Sequence, residues 1–165
     1  MEKRVGICCS LLFALILSAG LNSCSEEEFD AEDERKMIES FLKENDIDVE
    51  PTESGLYYIE LIRGTGLPAT TGDTLYVYYT GYYLSGRILD YNRNSDPLPV
   101  VLGENSVIEG MEEGLGYMNE GGEALLVIPS KLAYGEEGNF QMGIKPFTPV
   151  AFEVTIDKLV PGPEK

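Results

Sequence analysis

The chain has 165 residues, enough for one domain, with 29 acidic residues against 12 basic ones and a formal net charge of −17. The absence of histidine excludes His-based triads, His general bases and His-ligated metal sites. The negative charge argues against nucleic acid as a partner, because that binding depends on Lys and Arg neutralising phosphates.

The first 23 residues are predicted to be a lipoprotein signal peptide rather than part of the fold. Lys3 and Arg4 precede an apolar run over residues 5–21. This run is short for a membrane span of about 20 apolar residues but typical of a signal peptide. It ends in Leu-Asn-Ser-Cys at residues 21–24, which resembles a bacterial lipobox whose Cys is acylated. An uncleaved anchor helix is the alternative.

Removal of residues 1–23 leaves Cys24 as the only Cys. We therefore expect a lipid on Cys24, which attaches the protein to a membrane, and no intramolecular disulfide. Residues 24–34 are rich in acids and are predicted to form a solvated tether. An acidic run directly after the lipid-bearing Cys also resembles the surface-export signal of some Gram-negative lipoproteins. We expect an outer-membrane lipoprotein that faces the periplasm or the cell surface.

Residues 35–54 are predicted to form an N-terminal helix and a linker, and the helical pattern itself covers residues 30–45. Four apolar side chains share one helical face: Met37, Ile38, Phe41 and Leu42. Such a helix either packs on the domain or stands as a stalk. Because only this short helix precedes the domain, we expect a monomer.

From residue 55 onward the pattern indicates β-structure around one short helix. Branched and aromatic residues mark five predicted strands. These are residues 56–62, 75–84, 99–102, 123–128 and 150–159. Ser106 and Glu109 have capping-box spacing, which predicts a helix with Ser106 as its cap, and Gly114 or Gly116 can end it. The order predicts an α+β domain with a mostly antiparallel sheet over residues 55–160.

Two motif-like stretches are not interpreted as sites. Residues 64–69 have G-x-G-x-x-A spacing, but Pro68 lies inside them and no helix pattern follows, so we predict a turn. Residues 90, 92, 94 and 96 have the spacing of a calcium loop, but Ser95 and Val101 replace the Gly and Glu of an EF-hand. Incidental cation binding is the open alternative. We predict no metal site and no cofactor.

An ordered set of short motifs gives the most specific functional signal. The pieces are Tyr-Tyr-Thr-Gly at 78–81, Gly-Arg-Ile-Leu-Asp at 86–90, Leu-Gly at 102–103, Val-Ile-Glu-Gly-Met-Glu-Glu-Gly at 107–114, Ala-Tyr-Gly at 133–135 and Phe-Glu-Val at 152–154. Each piece is weak alone, but their order and spacing are specific. Together they resemble the FKBP-type peptidyl-prolyl cis-trans isomerases over about residues 55–160. This resemblance implies a half-wrapped antiparallel sheet around a short helix.

The resemblance also implies roles for ten residues. Four are implied to be catalytic: Tyr79 as the pocket tyrosine, Asp90 as a carboxylate, Ile108 through its backbone N–H, and Tyr134 as a hydroxyl donor. Six are implied to form the substrate-binding walls: Leu89, Leu98, Val107, Met111, Ile144 and Phe152. Taken singly, each of the ten can equally be an ordinary core or turn residue, whereas the ordered set favours a pocket.

The chain departs from the family's pattern at three places. Leu89 replaces a Phe that many members have, and Met111 replaces the Trp of the best-known members. The loop at 138–145 differs from the usual His-Pro-Gly flap. Leu and Met offer less rigid apolar area than aromatic rings, so we expect weakened activity or a shifted substrate preference.

The leading interpretation is an isomerase that assists the folding of exported or envelope proteins and acts on proline-containing polypeptide clients. The alternative is a catalytically weak or inactive FKBP-fold module that binds peptides as a chaperone. A third possibility is a structural lipoprotein whose acidic coat matters more than its pocket. The acids Glu109, Glu112 and Glu113 are expected to form a solvated helix face.

Overall fold

The computed structural model describes residues 31–163, so the predicted signal peptide, Cys24 and most of the acidic tether lie outside the described residues. The helices are α1 (Ala31–Glu44), α2 (Glu109–Gly116) and a 3-10 helix (Ser130–Leu132). The strands are β1 (Tyr57–Ile62), β2 (Thr74–Tyr83), β3 (Ile88–Tyr91), β4 (Leu98–Val101), β5 (Glu123–Ile128) and β6 (Val150–Val160). Within residues 31–163, no helix has the length and apolar character needed to cross a membrane.

The six strands form one antiparallel sheet in the order β1-β5-β6-β2-β3, and β4 also pairs with β2. The longest ladder joins β2 to β6, from Thr74 opposite Val160 to Tyr83 opposite Val150. The other edge of β2 is divided, because β4 pairs with residues 74–77 and β3 pairs with residues 80–82. The predicted α+β class, with an antiparallel sheet around a short helix, is confirmed.

Strand β3 is absent from the predicted elements. It has only four residues, and three of them are exposed. A bulge also interrupts it at Leu89, since Asp90 lies opposite Gly81 while Ile88 lies opposite Tyr82. So short and irregular a strand has no alternating pattern to detect. It forms because β2 offers it an unpaired edge.

The hydrophobic core lies between the sheet and α2, whose Met111 and Leu115 are buried. Gly114 allows α2 to approach β5 closely. A Cβ atom at Gly114 would lie 2.6 Å from both terminal carbons of Leu126, well inside van der Waals contact. The absence of a side chain at Gly114 therefore sets how closely helix and sheet pack.

The start of α2 differs from the prediction. Ile108 is the N-cap residue and no side chain caps the helix, so the assignment of Ser106 as the cap is wrong. Glu112 instead accepts hydrogen bonds from the backbone N–H groups of Gly103 (2.5 Å) and Asn105 (3.3 Å). The helix start is thus fixed to the preceding loop by Glu112, an acidic residue of the first helical turn.

The acids of α2 are only partly a solvated face. Glu109 is exposed, but Glu112 bonds the preceding loop and Glu113 accepts a hydrogen bond of 2.6 Å from the Ser54 hydroxyl. Two of the three acids therefore connect α2 to other segments, which the prediction missed.

Helix α1 packs on the domain rather than standing free as a stalk. Glu34 and Ile38, one turn apart, are both buried. The Glu34 carboxylate accepts hydrogen bonds from the backbone N–H and the hydroxyl (2.7 Å) of Ser130. Residues 31–34, placed in the tether by the predicted boundary at residue 34, are therefore the first turn of a docked helix.

The close approach at Gly114 gives a stability prediction. Gly114→Ala is expected to lower the free energy of unfolding by about 1–3 kcal/mol, because the added methyl group overpacks Leu126. Gly116→Ala is the matched control, because the nearest atom to a Cβ at Gly116 is a Leu102 carbon at 4.0 Å. Urea unfolding followed by circular dichroism measures both variants. Equal stability of the two would contradict the tight contact.

Candidate functional site

A cavity of about 360 Å³ opens where the sheet, the start of α2 and the segment after the 3-10 helix meet. Its lining combines strand residues, the residues that enter α2 and one loop tyrosine. The lining residues are Tyr79, Asp90, Leu98, Ser106, Val107, Ile108, Met111, Tyr134 and Phe152.

Eight of the ten predicted site residues line this cavity, and Leu89 and Ile144 do not. Leu89 is the bulged residue of β3 and packs against the core beside the cavity. Ile144 is buried within the 138–145 loop. Ser106 lines the cavity but was missed as a site residue, because its Ser-x-x-Glu spacing suggested a helix cap. The functional roles of the ten residues stay predictions.

Tyr79 and Asp90 form a hydrogen-bonded pair at the cavity. The Tyr79 hydroxyl donates to Asp90 Oδ2 at 2.8 Å, and Asp90 Oδ1 accepts from the Tyr91 N–H at 2.8 Å. Burial, together with the hydrogen bond to Asp90, raises the pKa of Tyr79 to about 12. The Tyr79 hydroxyl is therefore protonated at neutral pH and already committed to a partner.

Among the other donors at the cavity, two groups of the predicted site residues are uncommitted within residues 31–163. The backbone N–H of Ile108, at the start of α2, has no hydrogen-bond acceptor there, and neither has the hydroxyl of Tyr134. Burial raises the pKa of Tyr134, and the nearby Asp90 and Tyr83 raise it further. A neutral hydroxyl and a helix N-terminal N–H can thus both donate to an acceptor in the cavity.

The apolar walls of the cavity are well packed. Met111 and Phe152 are 3% and 4% exposed, and the ring centroids of Tyr79 and Phe152 lie 5.9 Å apart. The Phe152 ring lies directly against Gly81, where a Cβ atom would come within 2.6 Å of Cε1. Gly81 therefore leaves the space that this aromatic ring occupies.

The 138–145 loop forms a tight hairpin connected to the end of β2 through Tyr83. Asn139 and Ile144 exchange two backbone hydrogen bonds of 2.8 Å. The Tyr83 hydroxyl donates to the Gly143 carbonyl at 3.2 Å. Phe140, at the tip of the loop, is 86% exposed. Sequence reasoning missed Tyr83, because its loop partner is 60 residues away in the chain.

A second cavity, of about 520 Å³, lies between α1 and the domain. None of the ten predicted site residues lines it, and the carboxylate of Glu34 in its wall is already bonded to Ser130. The smaller cavity is therefore the candidate functional site, since it combines apolar walls with free donors.

Metal-ligating groups do not gather in the described part of the chain, where no cluster of three or more Cys, Asp or Glu side chains is placed to hold an ion. In the stretch with calcium-loop spacing, the side-chain amide of Asn92 bonds the backbone of β2 at Val77 and Tyr79. The side chain of Asn92 is therefore engaged in hydrogen bonds with the sheet backbone.

Comparison with known proteins gives a consistent result. The sequence profile described as FKBP-type peptidyl-prolyl cis-trans isomerase matches residues 66–157. The bovine peptidyl-prolyl cis-trans isomerase FKBP11 is 41% identical over 93 residues, which are 56% of this chain and 45% of that protein. The FK506-binding protein of Neisseria meningitidis serogroup B is 38% identical over 106 residues, or 64% of this chain and 96% of that protein.

A solved structure agrees with these matches. The crystal structure of FkpA from Escherichia coli has a TM-score of 0.69 and 34% identity, and the match covers 81% of this chain and 62% of that one. This chain spans about half the length of the bovine relative but nearly all of the neisserial one. The matched residues 66–157 include every residue that lines the smaller cavity. The chain therefore belongs to the family of FKBP-type peptidyl-prolyl cis-trans isomerases.

Proposed function

We propose that this protein is a peptidyl-prolyl cis-trans isomerase that acts on X–Pro bonds of polypeptide clients. The main support is one arrangement: an apolar cavity of about 360 Å³ with two uncommitted donors, the Ile108 N–H and the Tyr134 hydroxyl. Family membership agrees with this arrangement.

The reaction needs a pocket rather than a reactive group. Rotation about a peptide bond costs about 18–20 kcal/mol because it breaks amide resonance, and uncatalysed X–Pro exchange takes roughly tens to hundreds of seconds. The twisted amide has less charge separation than the planar amide, so apolar walls favour it relative to water. No proton transfer or covalent intermediate is required, and a chain without histidine can catalyse it.

The donors and walls have separate roles in this proposal. The Ile108 N–H and the Tyr134 hydroxyl hold backbone carbonyls of the client while the prolyl bond turns between Met111 and Phe152. These contacts accelerate exchange only to the extent that they are stronger in the twisted state than in the planar states. The 2.8 Å bond between Tyr79 and Asp90 favours a role for Asp90 in orienting the Tyr79 ring.

A second candidate function is peptide binding with little or no turnover. Met111 gives the cavity a flexible apolar floor, and the exposed Phe140 offers apolar contact area outside it. Such a module would hold client segments as a chaperone. Turnover on proline peptides distinguishes the two functions.

Tyr134→Phe tests the assigned donor. Loss of the hydroxyl, without loss of the ring, is expected to lower kcat/KM about tenfold, the effect of one hydrogen bond of roughly 1.5 kcal/mol. Tyr91→Phe, at an exposed position outside the cavity, is the control. Exchange measured by NMR in peptides with varied residues before Pro gives the rates. Binding-induced shifts at Ile108 without faster exchange would instead support the binding module.

Gly81→Ala tests the shape of the cavity. The added methyl group collides with Phe152, so we expect the ring to be displaced and kcat/KM to fall about tenfold or more, as expected for misplaced contacts. Gly116→Ala is the control, because it has room for a methyl group. Aromatic NMR shifts of Phe152 report the displacement. Wild-type rates in Gly81→Ala would show that this wall does not contact the substrate.

We also propose that the protein is an outer-membrane lipoprotein, monomeric, anchored through lipid on Cys24 and facing the periplasm or the cell surface. Exported or envelope proteins would then be its clients. The support is the sequence alone: an apolar run before Cys24 and an acidic stretch after it.

Labelling with a clickable palmitate analogue tests the proposed lipid anchor and membrane location. Cys24→Ser is expected to lose the label and to leave the outer-membrane fraction, whereas Cys9→Ser, inside the predicted signal peptide, should keep both. The purified Cys24→Ser protein should sediment as a monomer. Retention of the label in Cys24→Ser would rule out this anchor.

A further inference from the structure

The divided edge of β2 leaves a gap beside the candidate site. Pairing with β4 ends at Val77, opposite Leu98, and pairing with β3 begins at Thr80, opposite Tyr91. On this edge neither strand pairs with Tyr78 or Tyr79. Tyr79, whose ring lines the cavity, therefore lies where the sheet is interrupted.

Asn92 fills this gap with three hydrogen bonds. Its Oδ1 accepts from the Tyr79 N–H at 2.7 Å, and its Nδ2 donates to the Val77 carbonyl at 2.9 Å. Its own N–H donates to the Tyr79 carbonyl at 3.2 Å. One residue thus satisfies both backbone groups of Tyr79, and its side-chain amide substitutes for a strand. Because the Tyr79 N–H needs an acceptor and the Val77 carbonyl needs a donor, the oxygen and the nitrogen of the Asn92 amide can each occupy only one position.

The same short segment also holds the side chain of Tyr79. Asp90, two residues before Asn92, accepts the Tyr79 hydroxyl at 2.8 Å. Tyr79 is therefore held at both ends, by its backbone at Asn92 and by its hydroxyl at Asp90. A shift of Asn92 would leave polar backbone groups of Tyr79 unpaired and would move Asp90 along with the segment.

The next residue provides a contrast. Arg93 donates to the Thr80 hydroxyl at 3.1 Å and pairs with Glu153 at 2.9 Å. Thr80 follows Tyr79 in β2, and neighbouring side chains of a strand point to opposite faces of the sheet. Arg93 therefore holds the same loop on the face away from the Tyr79 side chain. Loop attachment and Tyr79 placement thus depend on different residues.

We propose that Asn92, which does not line the cavity, is a positioning residue that sets the geometry of the Tyr79–Asp90 pair for isomerisation. This inference rests on the proposed function. It predicts that loss of the Asn92 amide acts on the reaction through Tyr79, while loss of Arg93 mainly loosens the loop.

Asn92→Ala and Asn92→Asp test the role of Asn92. The Asp variant keeps an acceptor for the Tyr79 N–H but replaces the donor to Val77. Asn94→Ala and Asn94→Asp are matched controls at an exposed position of the same loop. We expect both Asn92 variants to lower kcat/KM about tenfold to a hundredfold, mainly in kcat. The Tyr79 amide should lose hydrogen-exchange protection, and the Asn94 variants should match the wild type in both respects.

A double-mutant cycle with Tyr79→Phe separates positioning from general stability. If Asn92 acts through Tyr79, Asn92→Ala should cost much less activity in the Tyr79→Phe background than in the wild type. A loss of the same factor in both backgrounds would overturn the proposal. Arg93→Gln should weaken stability but retain protection of the Tyr79 amide. Asn92→Ser, which keeps a hydroxyl acceptor, replaces the Ala variant in the cycle if that variant does not fold.

The outcomes distinguish the two proposals. If the wild type accelerates exchange and the Asn92 variants behave like the Asn94 controls, the positioning role is wrong and the isomerase function stands. If the wild type gives no acceleration, the isomerase function fails, and so does the positioning role of Asn92 in that reaction. The exchange data for the Tyr79 amide then show whether Asn92 still fixes the tyrosine in a binding module.

Discussion

The central constraint in this fold is that the backbone of β2 must find hydrogen-bond partners along both edges. An unpaired buried backbone group costs about 1–3 kcal/mol. Strand β6 pairs with the whole length of one edge, while β4, Asn92 and β3 share the other. Because β3 and β4 pair with that edge on either side of Tyr79, Asp90 and Leu98 lie near Tyr79 at the cavity, and β6 places Phe152 there from the other edge. The cavity follows from how β2 is paired.

Within that cavity the polar groups divide into committed and free ones. Tyr79 and Asp90 form a hydrogen bond with each other. The Ile108 N–H and the Tyr134 hydroxyl have no acceptor among the described residues, so they can donate to another molecule. This division suits the turning of a prolyl bond, in which carbonyls must be held and a reactive group is unnecessary. In the proposed reaction the apolar walls also contribute, because water would stabilise the planar amide more than the twisted one.

Several acidic residues make specific contacts in the folded chain. Glu34 anchors α1 to Ser130, a residue 96 positions away, and Glu112 holds the loop before α2. On the outer face of the sheet, a hydrogen bond with Glu153 raises the pKa of Glu123, and Arg93 pairs with both acids. The formal net charge of the chain is −17. These particular acids nevertheless stabilise specific contacts, because each pairs with a hydrogen-bond donor or a cation in the folded chain.

Local pattern predicted most of the fold, and the resemblance of the ordered motifs to a family implied most of the candidate site. Five strands and both α-helices were predicted close to their observed bounds, since alternation and helical periodicity are local properties of a sequence. The resemblance that these motifs carry implied eight of the nine residues that line the cavity. Tertiary structure alone decided the rest. Strand β3 exists because β2 has a free edge, Ser106 lines the cavity instead of capping α2, and Leu89 packs against the core instead of lining the cavity. The bonds of Asn92 to Val77 and Tyr79 span 13–15 residues, and contacts at that distance leave no periodic trace because packing brings them together.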